Sequence, residues 1–225
     1  MKLEILDNGE ALAGRAVQYV VEQASRRIAA AGVFSFAVSG GSTPRRMIEL
    51  LAECRDIDWG RVNLFQVDER VAPDGDPSRN LGMLQPLLEA VELGGFYPMP
   101  VEASNLENAA SAYAESLGCV VGTPAVLDLI QLGLGEDGHT ASLIPDDPVL
   151  DVVDSDVALT GEYQGHRRMT LTWPVLDRAR SQLWLVSGIT KRDALQRKLA
   201  DDPTIPATLA TNKRAKVLAT PPEIL

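Results

Sequence analysis

The chain is poor in several things that would have named a function class. It has no positive excess: Lys and Arg total 21 against 31 Asp and Glu, a formal charge of −10. No global positive field is available to collect phosphate polymers, so nucleic acid and anionic membrane surfaces are not expected partners. A small anionic substrate stays open, because it needs only a few local cations. No apolar run reaches the ~18 residues of a membrane span. The opening residues, MKLEILDNGEALAG, place acids early and have no apolar centre, which is not the pattern of a secretory leader. Only two cysteines occur, Cys54 and Cys119, at no metal-ligand spacing, and free thiols in a reducing cytoplasm are expected. Histidine is also scarce, with His139 and His166 alone, so a zinc site is not expected either.

Hydrophobic residues make up 45% of the 225 positions, enough for a sizeable core. Apolar runs alternate with helical stripes. Short strands are expected at 3–6, 33–38, 62–67, 127–132, 168–172 and 183–186. Helices are expected at 10–31, 44–53, 80–92, 106–116 and 191–199. The clearest stripe is Leu12, Ala16, Val20, Ala24 and Ile28, at four-residue steps. This order predicts an α/β fold with a mostly parallel sheet covered by helices on both faces. There is no repeat or linker, so residues 1–225 read as a single domain. In such sheets ligands bind at the carboxyl ends of the strands, near a topological switch point.

Three polar segments follow strands and can converge there. The first is Ser39-Gly40-Gly41-Ser42-Thr43-Pro44. Pro44 suits a first helical position, which makes Thr43 the expected N-cap. Glycines and hydroxyls ahead of a helix form an anion site, and a phosphate monoester is the ligand expected. The Gly-Lys of a Walker A loop is missing, and Pro44 spoils a G-x-S-x-G elbow around Ser42, which disfavours a serine hydrolase. The second exit is Asp68-Glu69-Arg70, which opens an irregular segment over 68–78 and is followed by Ser78-Arg79-Asn80. The third is Gly133-Leu134-Gly135-Glu136-Asp137-Gly138-His139. An imidazole has an ordinary pKa near 6.5 and serves as acid or base at neutral pH. Asp137 or Asp68 is placed to orient it or to bind a sugar hydroxyl. Further on, Arg168 opens a strand and Lys191 lies at the start of a helix, where it complements a phosphate. His166 reads as a loop residue. The acidic stretch 146–165 reads as either a lid or a surface excursion.

Together these windows resemble the bacterial 6-phosphogluconolactonases, within the wider sugar-phosphate group that includes glucosamine-6-phosphate deaminase. The residues that carry the likeness are SGGSTP at 39–44, VDER at 67–70, SRN at 78–80, LGLGEDGHTASLIP at 132–145, RRMTLTWPVLDRA at 167–179 and SGITKRDAL at 187–195. The deaminases look like DGHIAFNEP, with a glutamate that works with the histidine in ring opening, whereas Thr140-Ala141-Ser142-Leu143-Ile144-Pro145, which follows His139 here, has no such acid. Ala72 and Arg79 are small departures from the lactonase pattern.

The resemblance implies a NagB-like three-layer α/β/α fold with a Rossmann-like sheet. It implies hydrolysis of 6-phospho-D-glucono-1,5-lactone in the oxidative pentose phosphate pathway, without metal or organic cofactor, by a cytoplasmic enzyme. The roles expected are His139 as base, Arg70 as oxyanion stabiliser, and Asp68 and Asp137 on hydroxyls or on the imidazole. Gly40, Gly41, Ser42, Thr43, Arg168 and Lys191 are expected on the phosphate. An amino-sugar-phosphate isomerase or deaminase is the alternative, and a non-catalytic sugar-phosphate sensor a further one. The strand pattern starts at Lys2, which leaves no room ahead of it for a DNA-reading module. Monomer and homodimer are both open.

Overall fold

A computed structural model describes residues 1–221. In chain order its strands and α-helices are β1 (Lys2–Ile5), α1 (Gly9–Ala31), β2 (Phe34–Val38), α2 (Ser42–Glu53), β3 (Val62–Gln66), β4 (Asp68–Arg70), α3 (Leu81–Ala90), β5 (Gly95–Tyr97), α4 (Leu106–Val121), β6 (Leu129–Leu132), β7 (Val157–Leu159), β8 (Arg168–Leu171), α5 (Trp173–Arg178), β9 (Gln182–Val186), α6 (Arg192–Leu199) and β10 (Ala215–Ala219).

Seven strands form one wholly parallel sheet, in the order β1-β10-β9-β6-β2-β3-β5. Its inner strands β2, β6 and β9 are buried along their whole length. Sheets covered on both faces require that, and it explains why these strands read as unbroken apolar runs. Alternate residues feed the two layers. Phe34, Phe36 and Val38 pack with α1, α2 and α3 on one face, while Ala37 joins α4, α5 and α6 on the other. The α1 stripe is buried at Leu12, Ala16, Val20 and Ala24, and the helix is bracketed by its ends. The Asn8 side chain accepts from the Ala11 amide at 2.9 Å, and Gly32 closes the helix with φ 80°.

Four expectations need correction. The strand at Arg168 does not enter the main sheet. It is the centre of a second, antiparallel sheet, β4-β8-β7, laid on the α4 side of the molecule. Residues 68–78 are therefore not wholly irregular, since Asp68–Arg70 pair with β8. The segment 146–165 is not a detached lid: Val149 and Val157 are in the core, and β7 packs on α4. Finally, Thr43 is not the N-cap of α2. The helix starts at Ser42, and the cap position is Gly41, at φ 116° and with no side-chain hydrogen bond. Pro44 still lies in the first turn, where a missing N–H removes no helical bond.

After β2 the chain turns to one side, to β3 and β5. After β6 it turns to the other, to β9 and β10. The carboxyl ends of β2 and β6 therefore flank the point where the connections diverge, the position where open α/β sheets leave a crevice. Val67 joins the two sheets there. Its N–H donates to Val38 O at 3.0 Å, and its carbonyl accepts from Leu171 N at 2.8 Å. Asp68, the next residue, is fixed over the end of the main sheet by both.

Candidate active site

A cleft occupies this crevice. It is lined by Ser39 to Pro44 from the β2 exit, Asp68 and Arg70 from β4, Asn80, the 133–135 and 139–141 stretches after β6, Arg168 from β8, and Lys191. Every residue expected at the site lines it except Asp137, which stands behind His139.

The β2 exit presents backbone. At Gly40 a Cβ would sit 1.9 Å from Asn80 Oδ1, so this position has room only for glycine. No side chain caps α2, and its first-turn amides remain available to an anion. Lys191 ends a short 3-10 turn (Ile189–Lys191) just before α6 and is loosely paired with Glu136, 4.0 Å away.

On β4, successive side chains divide the work. Glu69 is fully buried beneath the cleft. Its Oε1 accepts from the amides of Arg70 (2.8 Å) and Asn80 (2.7 Å), and its Oε2 from Leu81 N (2.8 Å) and Gln66 Nε2 (2.8 Å). Arg79 pairs with it at 3.3 Å and reaches Ala72 O at 2.9 Å, so the two departures from the lactonase pattern touch each other under the site. Glu69 thus satisfies the start of α3 and locks the backbone of the cleft-facing arginine. Asp68 and Arg70 face the cavity. Asp68 is 5% exposed and accepts from Ser142 Oγ at 2.7 Å. Burial pushes its carboxyl above the ordinary range, against the pull of Ser142 and of Arg70 and Arg168.

The register sets Arg70 directly opposite Arg168. Like charges facing each other across a strand pair repel. Arg70 donates Nη1 to Ser78 O at 2.5 Å, and Arg168 is 3% exposed, yet the Nε of each is buried without a partner. An unmet buried donor costs on the order of 1–3 kcal/mol, more when charged. These unmet donors belong to the two facing cations themselves, and they point to anionic groups of a ligand along this side of the cleft. Burial likewise pulls the Arg168 guanidinium below its usual pKa.

The third exit closes on itself. Gly135 N donates to His139 O at 2.8 Å, and Gly138 N to Gly135 O at 3.1 Å. A Cβ on Gly135 would lie 2.2 Å from His139 Nδ1, so the ring packs where only a glycine leaves space. Asp137 Oδ1 holds Nδ1 at 2.6 Å and also accepts from the His139 amide at 3.2 Å. Partial burial works to raise the Asp137 pKa, but the His139 hydrogen bond and charge win and hold it well below the usual carboxylate range. An ionised acceptor at Nδ1 keeps the ring proton there and leaves the Nε2 lone pair free.

Tyr163 was not among the expected site residues. Its hydroxyl donates to Asp137 Oδ2 at 2.8 Å. No local motif marks it, because its contact crosses the 146–165 excursion. His166 stays a loop residue, bridged to Tyr163 by backbone bonds. Both cysteines are free, and among the described residues no group of three or more His, Cys, Asp or Glu is placed to share a metal. No helix among these residues is long and apolar enough to cross a membrane.

The family model "Glucosamine-6-phosphate isomerases/6-phosphogluconolactonase" matches residues 7–219. A Synechocystis 6-phosphogluconolactonase is 36% identical over 201 residues, covering 86% of this chain and 83% of the relative. One from Mycobacterium bovis is 33% identical over 227 residues, covering 94% and 92%. The crystal structure of a 6-phosphogluconolactonase from Shewanella baltica superposes with a TM-score of 0.87 at 28% identity, over 98% of this chain and 97% of that one.

Proposed function

The chain belongs to the glucosamine-6-phosphate isomerase/6-phosphogluconolactonase family, and we propose that it hydrolyses 6-phospho-D-glucono-1,5-lactone to 6-phosphogluconate by histidine-assisted attack of water. The observation that carries this reading is the His139–Asp137 pair at 2.6 Å beside two cleft-facing arginines whose Nε donors lack partners.

Water adds to the lactone carbonyl, C1. His139 Nε2 takes a proton from it, and the imidazolium that forms is stabilised by the Asp137 carboxylate. Negative charge collects on the carbonyl oxygen, and Arg70 answers it. A guanidinium already fixed by Ser78 O and by the Glu69-held backbone needs no reorganisation as that charge develops. The tetrahedral intermediate then collapses. The bond from C1 to the ring oxygen breaks, the imidazolium returns its proton to that oxygen, which leaves as the C5 hydroxyl, and C1 becomes the free carboxylic acid. The lactone is a reactive ester, so this assistance suffices and no covalent nucleophile, metal or cofactor enters the scheme.

The phosphate is assigned to Gly40, Gly41, Ser42 and Thr43 with Arg168 and Lys191, remote from C1. Binding energy there holds the carbonyl against the attacking water. Asp68 is assigned to a sugar hydroxyl. With its pKa raised, it either accepts as a carboxylate or donates as an acid, according to pH. The central and small sheets share one apolar core, which supports treating the chain as one catalytic domain. A substrate that is a charged phosphate ester does not cross a bilayer unaided, and the proposal accordingly goes with a cytoplasmic site of action.

The test is hydrolysis of lactone generated in situ, coupled to 6-phosphogluconate dehydrogenase and corrected for spontaneous opening. Rapid enzyme-dependent formation of 6-phosphogluconate is expected. No acceleration, with ammonia released from glucosamine 6-phosphate instead, would replace this reading by the deaminase.

A further inference from the structure

Tyr163 has no role in the reaction described above, yet it touches both ends of the machinery. Its hydroxyl donates to Asp137 Oδ2 at 2.8 Å, the oxygen that His139 does not use. Its ring meets the imidazole edge-on, with centroids 5.7 Å apart and planes at 73°. The Arg168 guanidinium carbon stands 5.0 Å from the centre of the same ring, and Nη2 donates to the Tyr163 carbonyl at 3.4 Å. Of the groups assigned to the reaction, one side chain thus contacts the base, the acid that orients it, and the buried arginine assigned to phosphate.

The backbone makes this arrangement stiff. Tyr163 and His166 exchange both hydrogen bonds, 3.0 and 3.2 Å. Between them Gln164 and Gly165 have φ of 51° and 81°. Positive φ at both central residues is the signature of a two-residue hairpin turn matched to strand twist. Arg168 begins β8 two residues beyond that hairpin, so a pull on the arginine is transmitted to the tyrosine through a short, hydrogen-bonded unit. Burial and the Asp137 carboxylate push the Tyr163 hydroxyl up to about 12, which keeps it a donor at any working pH.

We propose that Tyr163 is a positioning residue that couples capture of the substrate phosphate at Arg168 to the alignment of the His139–Asp137 pair. The inference rests on the proposed lactonase reaction and deepens it. Phosphate recognition contributes to turnover as well as to binding, because a phosphate that draws Arg168 toward itself also sets the ring and hydroxyl that fix Asp137. A merely structural tyrosine would support the fold and leave no such signature.

The experiment compares wild type, Tyr163→Phe, Asp137→Asn and the double variant, on freshly generated 6-phosphogluconolactone and on unphosphorylated glucono-1,5-lactone. Tyr163→Phe keeps the ring under Arg168 and removes one oxygen. The expected result is a kcat about tenfold lower on the phosphorylated lactone, the low end of the worth of one hydrogen bond to a charged group, with KM within about twofold. On the unphosphorylated lactone the loss should be smaller. In the Asp137→Asn background the same change should cost nothing further, since the hydroxyl acts through that carboxylate. Equal losses on the two lactones, losses that multiply in the double variant, or an unchanged kcat would each overturn the coupling. If wild type itself does not accelerate opening of the phosphorylated lactone, it is the proposed function that fails, and the two failures are separable.

Discussion

Asp68 and Asp137 serve one site from different strand exits, and the protein drives them in opposite directions. Asp68 stands on β4, 5% exposed, with one hydroxyl donor, and burial raises its pKa. Asp137 sits in the β6 exit loop, more open to solvent, with an imidazole, an amide and a phenol donating to it, and its pKa is lowered. The residue type is the same and the difference is donor count against desolvation. Where donors outnumber the cost of burial, a carboxylate stays charged and orients a base. Where burial wins, it becomes a group that exchanges a proton or a hydrogen bond with substrate. Carboxylates pushed apart in this way mark division of labour within a site.

The largest expected effect lies at the Asp137 exit. His139→Asn removes the base and should lower kcat by about 10²–10⁴-fold in the coupled lactone assay, with KM little changed. Near-normal turnover would strip that exit of its role. Next in size is Lys191→Ala, which tests whether the cation at the cleft rim is remote from chemistry. KM should rise about tenfold with a smaller change in kcat. The opposite split would move Lys191 to the reacting carbonyl.

The smallest effect is on stability, and it separates the two aspartates by sign. Asp68 has a raised folded pKa, so its ionisation at neutral pH weighs against folding, and that penalty disappears below the unfolded value. Asp68→Asn should therefore raise Tm at pH 7 by about 2–4 °C, with the gain fading toward pH 3. Asp137 has a depressed folded pKa. Its contribution is present above the unfolded value and is lost as pH falls through the folded one. Asp137→Asn should lower Tm at pH 7 by a similar amount. Shifts of the same sign, read by thermal unfolding at several pH values, would mean that the two environments do not differ as described.

The same contrast explains what could be read from the sequence. The β6 exit is local: three glycines, two acids and a histidine within seven residues announce a tight loop around an imidazole, and the glycine at 135 is there because the ring needs the space. The Gly40–Thr43 loop is legible for the same reason, although the helix starts one residue before the expected cap. The Asp68 exit is built from distant pairings. Three residues, Asp68–Arg70, are too few to show a strand period, and they become one only by pairing with β8 about a hundred positions later. The acid-acid-base triplet could not reveal that Glu69 turns inward to hold the start of α3 while its neighbours face substrate. Tyr163 was invisible because the hydrogen bond it makes spans 26 residues and an excursion without regular pattern.

The most direct measurement is kcat for Asp137→Asn and Asp68→Asn side by side on freshly generated 6-phosphogluconolactone at saturating substrate. The account predicts that Asp137→Asn falls at least about tenfold below Asp68→Asn, because an asparagine at 137 no longer supplies the charge that stabilises the imidazolium, while an asparagine at 68 still bonds a hydroxyl. Equal losses, or the larger loss at Asp68, would contradict it and place the acid–base chemistry on β4.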